Sequence, residues 1–318
     1  MTEEGHKRDE GRVDMSEAEF RALFEGVCNW GRWGDEDERG ALNELTAERI
    51  IAAARLVRSG ETVTLSLPMN THSGVSNPQP AVHRMTQGYD VDIGSGALRL
   101  AKDYIGVDYH NDSHSHIDAL CHVAFDGVLY NGRPSASLGP QGATVETIEA
   151  VKDGLVGRGV LLDVPRLRGV SWLEPGEHVL PDDLEAAERE EGVTVAAGDI
   201  LLVRTGLTRR LAELGPWETA KAKAGLHPST ARFLASRRVA ALGSDGNSDT
   251  APSTTEGIGF PIHTLTLNAM GVHLLDYLQF EDLAAVCERE GRWEFMLVGV
   301  PLRIVGGTGS PLNPLAIF

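Results

Sequence analysis

The sequence predicts an α/β fold, in which short buried strands form a mixed sheet that is flanked by helices. Three apolar runs have the length and composition of buried strands: residues 159–163, 199–203 and 239–243. Helical patterns accompany these runs at residues 181–191, 228–236 and 281–290. The alternation of short apolar runs with helical patterns is typical of a sheet covered by helices.

The first sixty residues are predicted to form a helical arm before the sheet. Residues 1–14 are polar and charged, and we expect a disordered leader there. The arm itself spans residues 15–60. Capping patterns predict two helices within it, one from Ser16 to about Val27 and one from Thr46 to about Val57.

The remaining residues, 61–318, are predicted to form one large domain. An alternating stretch at residues 62–67 predicts its first strand. Residues 68–87 are rich in proline, serine, asparagine and glycine, which predicts a long loop of the kind that often serves as a binding lid. We expect the last strand at residues 294–304.

Composition limits the partners of the protein. The formal net charge of −17 argues against nucleic acid and anionic membrane surfaces and leaves a small-molecule substrate as the expected partner. No run approaches the roughly 20 apolar residues that a membrane-spanning helix needs, and no signal peptide is expected, so we predict a cytoplasmic location. The three cysteines are widely spaced, which indicates buried reduced thiols rather than a disulfide framework: Cys28, Cys121 and Cys287.

Residues 110–122, HNDSHSHIDALCH, hold an unusual density of histidine. The stretch contains four of the 11 histidines, whereas random placement would put roughly half of one there. Six side chains share the same parity and would point to one face of an extended strand: His110, Asp112, His114, His116, Asp118 and His122. A solvated, histidine-rich edge strand is the plainer alternative, but apolar neighbours such as Ile117 and Leu120 indicate a buried setting.

Strand geometry limits which of these side chains can share one metal ion. Residues two apart lie about 6.6 Å apart at Cα, whereas residues six apart lie about 20 Å apart. His116 and Asp118 are therefore the predicted nucleus of a site for zinc, manganese or iron. His110 or His114 can join them only where the backbone bends, and other ligands must come from elsewhere in the chain.

The segment 116–122, HIDALCH, resembles the core of the HxGTHxDxPxH signature of the metal-dependent cyclase/hydrolase family. That family includes bacterial kynurenine formamidase, isatin hydrolase and cyclase-like proteins of actinomycete secondary metabolism. Three later segments resemble further family elements in the same order: residues 260–263 (FPIH), 271–276 (GVHLLD) and 301–311 (PLRIVGGTGSP). The resemblance runs from about Thr62 to Phe318, and it implies a barrel-like mixed sheet of the swivelling β/α type.

Five positions depart from the family pattern. The first histidine of the signature is replaced by Asp112, and its Gly-Thr pair by His114 and Ser115. Its proline is replaced by Leu120, and the distal acid, commonly glutamate, is Asp276. Asp112 is kept as a candidate ligand, and the number of ions, one or two, stays open.

The resemblance implies a divalent metal, zinc or manganese, and a set of ligands: His116, Asp118, His263, Asp276 and Asp112. It assigns proton transfer to His122. The implied reaction is hydrolysis of an amide, formamide or lactam of a small aromatic substrate by metal-activated water, as in an arylformamidase. A cyclase that uses the same site and a non-catalytic ligand-binding relative are the alternatives, and a nucleophilic Cys121 has no paired base in the sequence.

Other residues are candidates for the site on weaker grounds. Three side chains are predicted to contact the substrate: Trp33, His72 and Phe125. Trp33 could instead anchor the arm on the core. Asp245 and Asp249 follow the strand at residues 239–243, and each could orient a histidine or satisfy a tight turn, of which the turn is favoured. The tryptophan-bearing arm and the family habit favour a homo-oligomer, a dimer or a tetramer.

Overall fold

A computed structural model describes residues 14–318, and the predicted leader, apart from Asp14, lies outside the described residues. The predicted fold class is confirmed, because the described residues form a mixed sheet of nine strands that curls into a half-barrel flanked by helices. No helix within residues 14–318 combines the length and the apolar character needed to cross a membrane.

The strands of the described residues are β1 Thr62–Thr64, β2 Val82–Gln87, β3 Lys102–Gly106, β4 His116–Asp118, β5 Leu138–Gly139, β6 Gly142–Ala143, β7 Leu155–Asp163, β8 His178–Val179, β9 Ile200–Arg204, β10 Gly225–Leu226, β11 Ala241–Ser244, β12 His273–Asp276, β13 Glu294–Gly299, β14 Gly309–Pro311 and β15 Leu315–Ile317. The main sheet has the order β1-β15-β13-β7-β9-β11-β12-β4-β14. Three two-stranded sheets pair β2 with β3, β5 with β6 and β8 with β10.

The α-helices are α1 Glu17–Val27, α2 Ala47–Ala54, α3 Val164–Arg168, α4 Pro181–Glu191, α5 Leu207–Leu214, α6 Ala231–Arg237, α7 Pro261–His263 and α8 Glu281–Glu290. A π-helical segment, Thr264–Ala269, continues directly from α7. The helices predicted at residues 181–191, 228–236 and 281–290 are confirmed in position, the second as a 3₁₀ turn followed by α6.

The centre of the sheet is parallel, and its last part is antiparallel. Strands β7, β9, β11 and β12 run parallel, and the residues of β9 and β11 are all buried, as expected for strands covered on both faces. The short strand β4 then pairs antiparallel with β12 on one side and β14 on the other. In this register Asp276 lies opposite His116, and Gly309 lies opposite Asp118. The sheet thus brings together three segments that are distant in sequence.

The arm packs against the same core as the sheet. Ser16 forms a complete capping box at α1, and Thr46 caps α2, as predicted. Phe20 of α1 is fully buried in the core, and the Trp30 indole donates a hydrogen bond to the carbonyl of Asn268 at 2.7 Å. Helix α2 is shorter than predicted and ends at Ala54. The division at residue 60 stays a prediction.

Two predicted segments were wrong in part. The loop at residues 68–87 ends in β2, which forms a hairpin with β3. The side chains of this hairpin are exposed on both faces, so no alternation of buried and polar residues marked it. The last strand was predicted to reach residue 304, but β13 ends at Gly299 and two further strands follow. Pro301 cannot donate to a strand ladder, which is a physical reason for the early end.

Candidate metal centre

A cavity of about 460 Å³ lies where β4 and β12 meet the start of α7. Its polar lining contains most of the residues that the sequence predicted for the site: His116, Asp118, His122, His263, Asp276 and Asp112, together with His110. Its apolar lining includes Phe125, Ile258 and Phe260. The cavity therefore combines a polar cluster with an aromatic wall.

Asp118 is the centre of the polar cluster. Its side chain is completely buried, and no hydrogen bond of good geometry reaches either carboxylate oxygen from the described residues. His110 Nδ1 lies 2.9 Å and His116 Nε2 3.5 Å from its Oδ1, and His263 Nε2 lies 3.6 Å from its Oδ2. Burial raises the pKa of Asp118, but the nearby imidazoles, chiefly His122, outweigh it and hold the pKa below its ordinary value.

Two of these imidazoles are oriented by a hydrogen bond at the opposite ring nitrogen. His116 Nδ1 donates to the carbonyl of His114 at 2.7 Å, which leaves Nε2 without a proton when the ring is neutral. His263 Nδ1 donates to the carboxylate of Asp249 at 2.5 Å, and its Nε2 likewise points towards Asp118. Histidines that bind metals typically donate a hydrogen bond from the other ring nitrogen, and that bond sets the tautomer of the ring.

His110 reaches the cluster because the backbone bends before β4. Its Nε2 lies 3.0 Å from the hydroxyl of Thr308, so Nδ1 is the nitrogen that faces Asp118. Gly309 makes this approach possible, because a Cβ at that position would lie 2.8 Å from Cε1 of His110 and 2.4 Å from the carbonyl oxygen of Ile117. A straight strand excludes His110 from a site with His116, and the observed bend removes that restriction.

His122 can take part in the cluster in two ways. Its ring stacks on that of His110, with centroids 4.0 Å apart and planes within 6°. The described residues contain two groups with the spacing of metal ligands, and these share Asp118: His110 with His116, and His122 with His263. Burial lowers the pKa of His122 to about 4. The geometry therefore allows His122 either to bind a metal or to transfer protons beside one.

The two remaining candidate ligands have different surroundings. Asp276 is buried, and its Oδ2 lies 3.4 Å from Nε2 of His263. Burial raises the pKa of Asp276. Asp112 also lines the cavity, but its carboxylate accepts hydrogen bonds from the hydroxyls of Tyr277 and Thr219, the latter at 2.8 Å. Neither carboxylate belongs to the two groups that share Asp118.

The predicted substrate contacts are divided among three cavities. Phe125 lines the cavity with the cluster. His72 lines a neighbouring cavity. Trp33 lines a small separate one, where the guanidinium of Arg32 lies 5.0 Å from its ring centroid. Cys121 is buried, and burial raises the pKa of its thiol to about 12, which suits an inert thiol.

Sequence reasoning gave less weight to two groups that the structure places at the site. Asp249 follows β11 and bonds His263, whereas Asp245 accepts hydrogen bonds from the backbone of Thr205 and the two following residues. Asp245 thus satisfies backbone donors, which was the favoured role for both residues. Asp249 instead orients a histidine. Tyr277 directly follows Asp276, and this position was the only signal for it.

The residues present fit a divalent cation. Three imidazoles are anchored at one nitrogen and direct the other at one buried carboxylate, which itself accepts no hydrogen bond of good geometry among residues 14–318. Leaving such a carboxylate without a partner costs several kcal/mol, and a bound cation offsets that cost. Imidazole nitrogens with a carboxylate oxygen are suitable ligands for zinc or manganese.

The fold and the cluster define an α/β protein of the metal-dependent hydrolase and cyclase class. The family model described as "Putative cyclase" matches residues 62–249, which is more than half of the chain. The crystal structure of a novel cyclase is 35% identical, with a TM-score of 0.84, over 93% of this chain and 99% of that one. The chain belongs to the cyclase family.

More distant structures share the fold. Isatin hydrolase A from Ralstonia solanacearum is 23% identical, with a TM-score of 0.57 over 85% of this chain and 97% of that one. Isatin hydrolase A from Labrenzia aggregata, bound to benzyl benzoate, is 20% identical, with a TM-score of 0.58 over 85% of this chain and 97% of that one. Among curated proteins, none matches the sequence. The family supports an enzyme, and the groups of histidines around Asp118 support a divalent metal.

Proposed function

We propose that the protein is a metal-dependent hydrolase that cleaves a C–N bond in a small aromatic amide, formamide or lactam. The single observation that carries this proposal is the convergence of three anchored imidazoles on the unpartnered carboxylate of Asp118, within a cavity that also has an aromatic wall. The cavity volume of about 460 Å³ suits a small molecule.

We assign the residues as follows. His110, His116, Asp118 and His263 hold zinc or manganese, and Asp276 completes the cluster from the opposite strand. When bound, the cation supplies Lewis acidity to the carbonyl and lowers the pKa of a water molecule. Asp249 keeps the ring of His263 in the tautomer that directs Nε2 into the cluster.

His122 is assigned the proton transfer. Its ring lies in the cavity and stacks on His110, so it is held beside the reacting carbonyl. In the reaction, water adds to the carbonyl carbon, the C–N bond breaks and the leaving nitrogen gains a proton. His122 takes the proton from water and returns it to that nitrogen. Phe125 and Phe260 are assigned to contact the aromatic ring of the substrate.

The test combines elemental analysis with substrate assays. We expect the purified protein to carry at least one equivalent of zinc or manganese, and chelation to abolish hydrolysis of N-formylanilines or lactams such as isatin. Metal that is retained without turnover of any of these compounds contradicts the hydrolase and favours ring closure at the same site. Protein that takes up no divalent metal overturns the proposal. A cytoplasmic location stays a prediction from the sequence.

We also propose that the protein is a homo-oligomer in which the β2–β3 hairpin packs on a second copy of the chain. An isolated two-stranded hairpin is at best marginally stable in water. This hairpin nevertheless exposes apolar side chains on both faces: Val82, Met85, Tyr104 and Ile105 are each about half exposed, and Tyr89 is 70% exposed. Such a concentration of exposed apolar surface is typical of a protein interface.

Sedimentation at several protein concentrations tests the oligomer. We expect the wild-type protein to sediment as a dimer or tetramer and Ile105→Asp to shift it towards the monomer. Val170→Asp, at a residue that is 48% exposed but lies outside the hairpin, is the matched control. A wild-type protein that is monomeric throughout, or an Ile105→Asp variant that keeps the wild-type mass, contradicts this assignment.

A further inference from the structure

A second cavity lies directly beside the cavity of the metal cluster. Its volume is about 370 Å³. Its walls are largely apolar and come from the segment after β1 and from α5: Leu67, Pro68, Met69, Leu207 and Leu211. The predicted substrate residue His72 lines this cavity and not the first one. None of the candidate metal ligands except Asp112 reaches it.

Asp112 and Tyr277 line both cavities and so form the boundary between them. The Tyr277 hydroxyl donates to the Asp112 carboxylate, which also accepts from the hydroxyl of Thr219 at 2.8 Å. The ammonium of Lys223, itself buried, lies 3.2 Å from the Tyr277 hydroxyl and 3.6 Å from Asp112. The boundary is thus one layer of side chains that polar contacts hold in place.

This boundary is adjacent to the metal cluster. Tyr277 follows Asp276 in the chain, and its ring stacks beside the ring of His116 with centroids 6.4 Å apart. A carbonyl that binds at the cluster therefore lies close to the side chains that separate the two cavities. The Asp112 side chain keeps 18% of its surface exposed, which places it at the outer edge of the boundary.

We propose that the second cavity binds an apolar arm of the substrate, which extends from the reacting carbonyl past Asp112 and Tyr277. The ligand class is an acyl compound with an unbranched or aryl apolar chain. This inference rests on the proposed function for the position of the carbonyl. Asp112 stands where the family signature has a histidine. In this proposal its side chain separates the two subsites instead of binding a metal.

Linear alkanoates test the second cavity without any turnover, because an alkanoate is the acyl product of amide hydrolysis. Acetate, butanoate and hexanoate are titrated into the manganese-loaded protein, and the dissociation constants are measured by calorimetry. We expect the affinity to rise by up to about fourfold per added methylene, the value for full burial of that group, until the cavity is filled. In Leu211→Trp, whose larger side chain fills the cavity, we expect acetate to bind as in the wild type and the gain with chain length to disappear.

The matched control is Leu214→Trp on the same helix, at a residue that is 60% exposed and lines neither cavity. It should keep the wild-type gain. If Leu211→Trp fails to bind acetate, then Met69→Trp decides in its place. No gain with chain length in the wild type, or an equal gain in the filled variant, overturns the proposal. A clear gain together with no amide hydrolysis contradicts the proposed reaction alone, and hydrolysis without a gain contradicts the second subsite alone.

Discussion

Replacement of His122 by alanine distinguishes the two roles that its position allows. The group of His110, His116 and Asp118 does not include His122, so we expect His122→Ala to keep at least one equivalent of metal. Loss of the ring contact with His110 costs about 0.5–1.5 kcal/mol, which is less than the expected cost of losing proton transfer. Loss of proton transfer costs about 10²–10⁴-fold in rate, or about 2.7–5.4 kcal/mol of activation free energy.

The assay measures metal content by mass spectrometry and kcat for an N-formylaniline on the same preparation. His227→Ala is the matched control, because the His227 ring contacts Ser229 and His178 and does not line the cavity of the cluster. The control should match the wild type in both measurements. Metal lost in parallel with activity in His122→Ala would identify His122 as a ligand, and an unchanged kcat would refute the assignment of proton transfer.

Three further variants test the cluster and one buried carboxyl outside it. Asp118→Ala should lose the bound metal, and retention of a full equivalent by elemental analysis contradicts its central role. Gly309→Ala should displace His110 and weaken metal affinity by about 10-fold or more, as measured by competition with a chelator. Burial raises the pKa of Glu146 to about 8, so the stability gained from its protonated carboxyl is complete below about pH 4.5 and is lost as the pH rises towards 8. Glu146→Gln should therefore be more stable than the wild type at pH 8.5 but not at pH 4.5 in urea unfolding, and an identical pH dependence argues against this ionisation.

The sequence predicted the parts of the site that depend on local periodicity. His116 and Asp118 lie two residues apart in β4, as the alternation predicted. The approach of His263 to Asp118, 3.6 Å between Nε2 and Oδ2, was expected from the family resemblance and not from periodicity. Local periodicity could not show the bend that brings His110 to the same carboxylate. That bend depends on the close approach of Gly309, a residue almost two hundred positions away.

For the fold as well, elements with a local sequence signal were predicted and elements without one were missed. Buried strands such as β7 and β9 were recognisable because their apolar runs are continuous. The β2–β3 hairpin has no buried face, so the signal on which strand prediction rests is missing there. The end of β13 at Gly299 was missed because alternation continues past it, whereas the ladder of hydrogen bonds does not.

The position of β4 between β12 and β14 affects when the site can form during synthesis of the chain. The strand that carries Asp118 is fully paired only when residues 273–276 and 309–311 have joined it, and both segments are synthesised well after β4. Such distant pairings form slowly, since long loops must close first. We expect metal uptake to follow the synthesis of residue 311, so that a shorter nascent chain carries no bound metal.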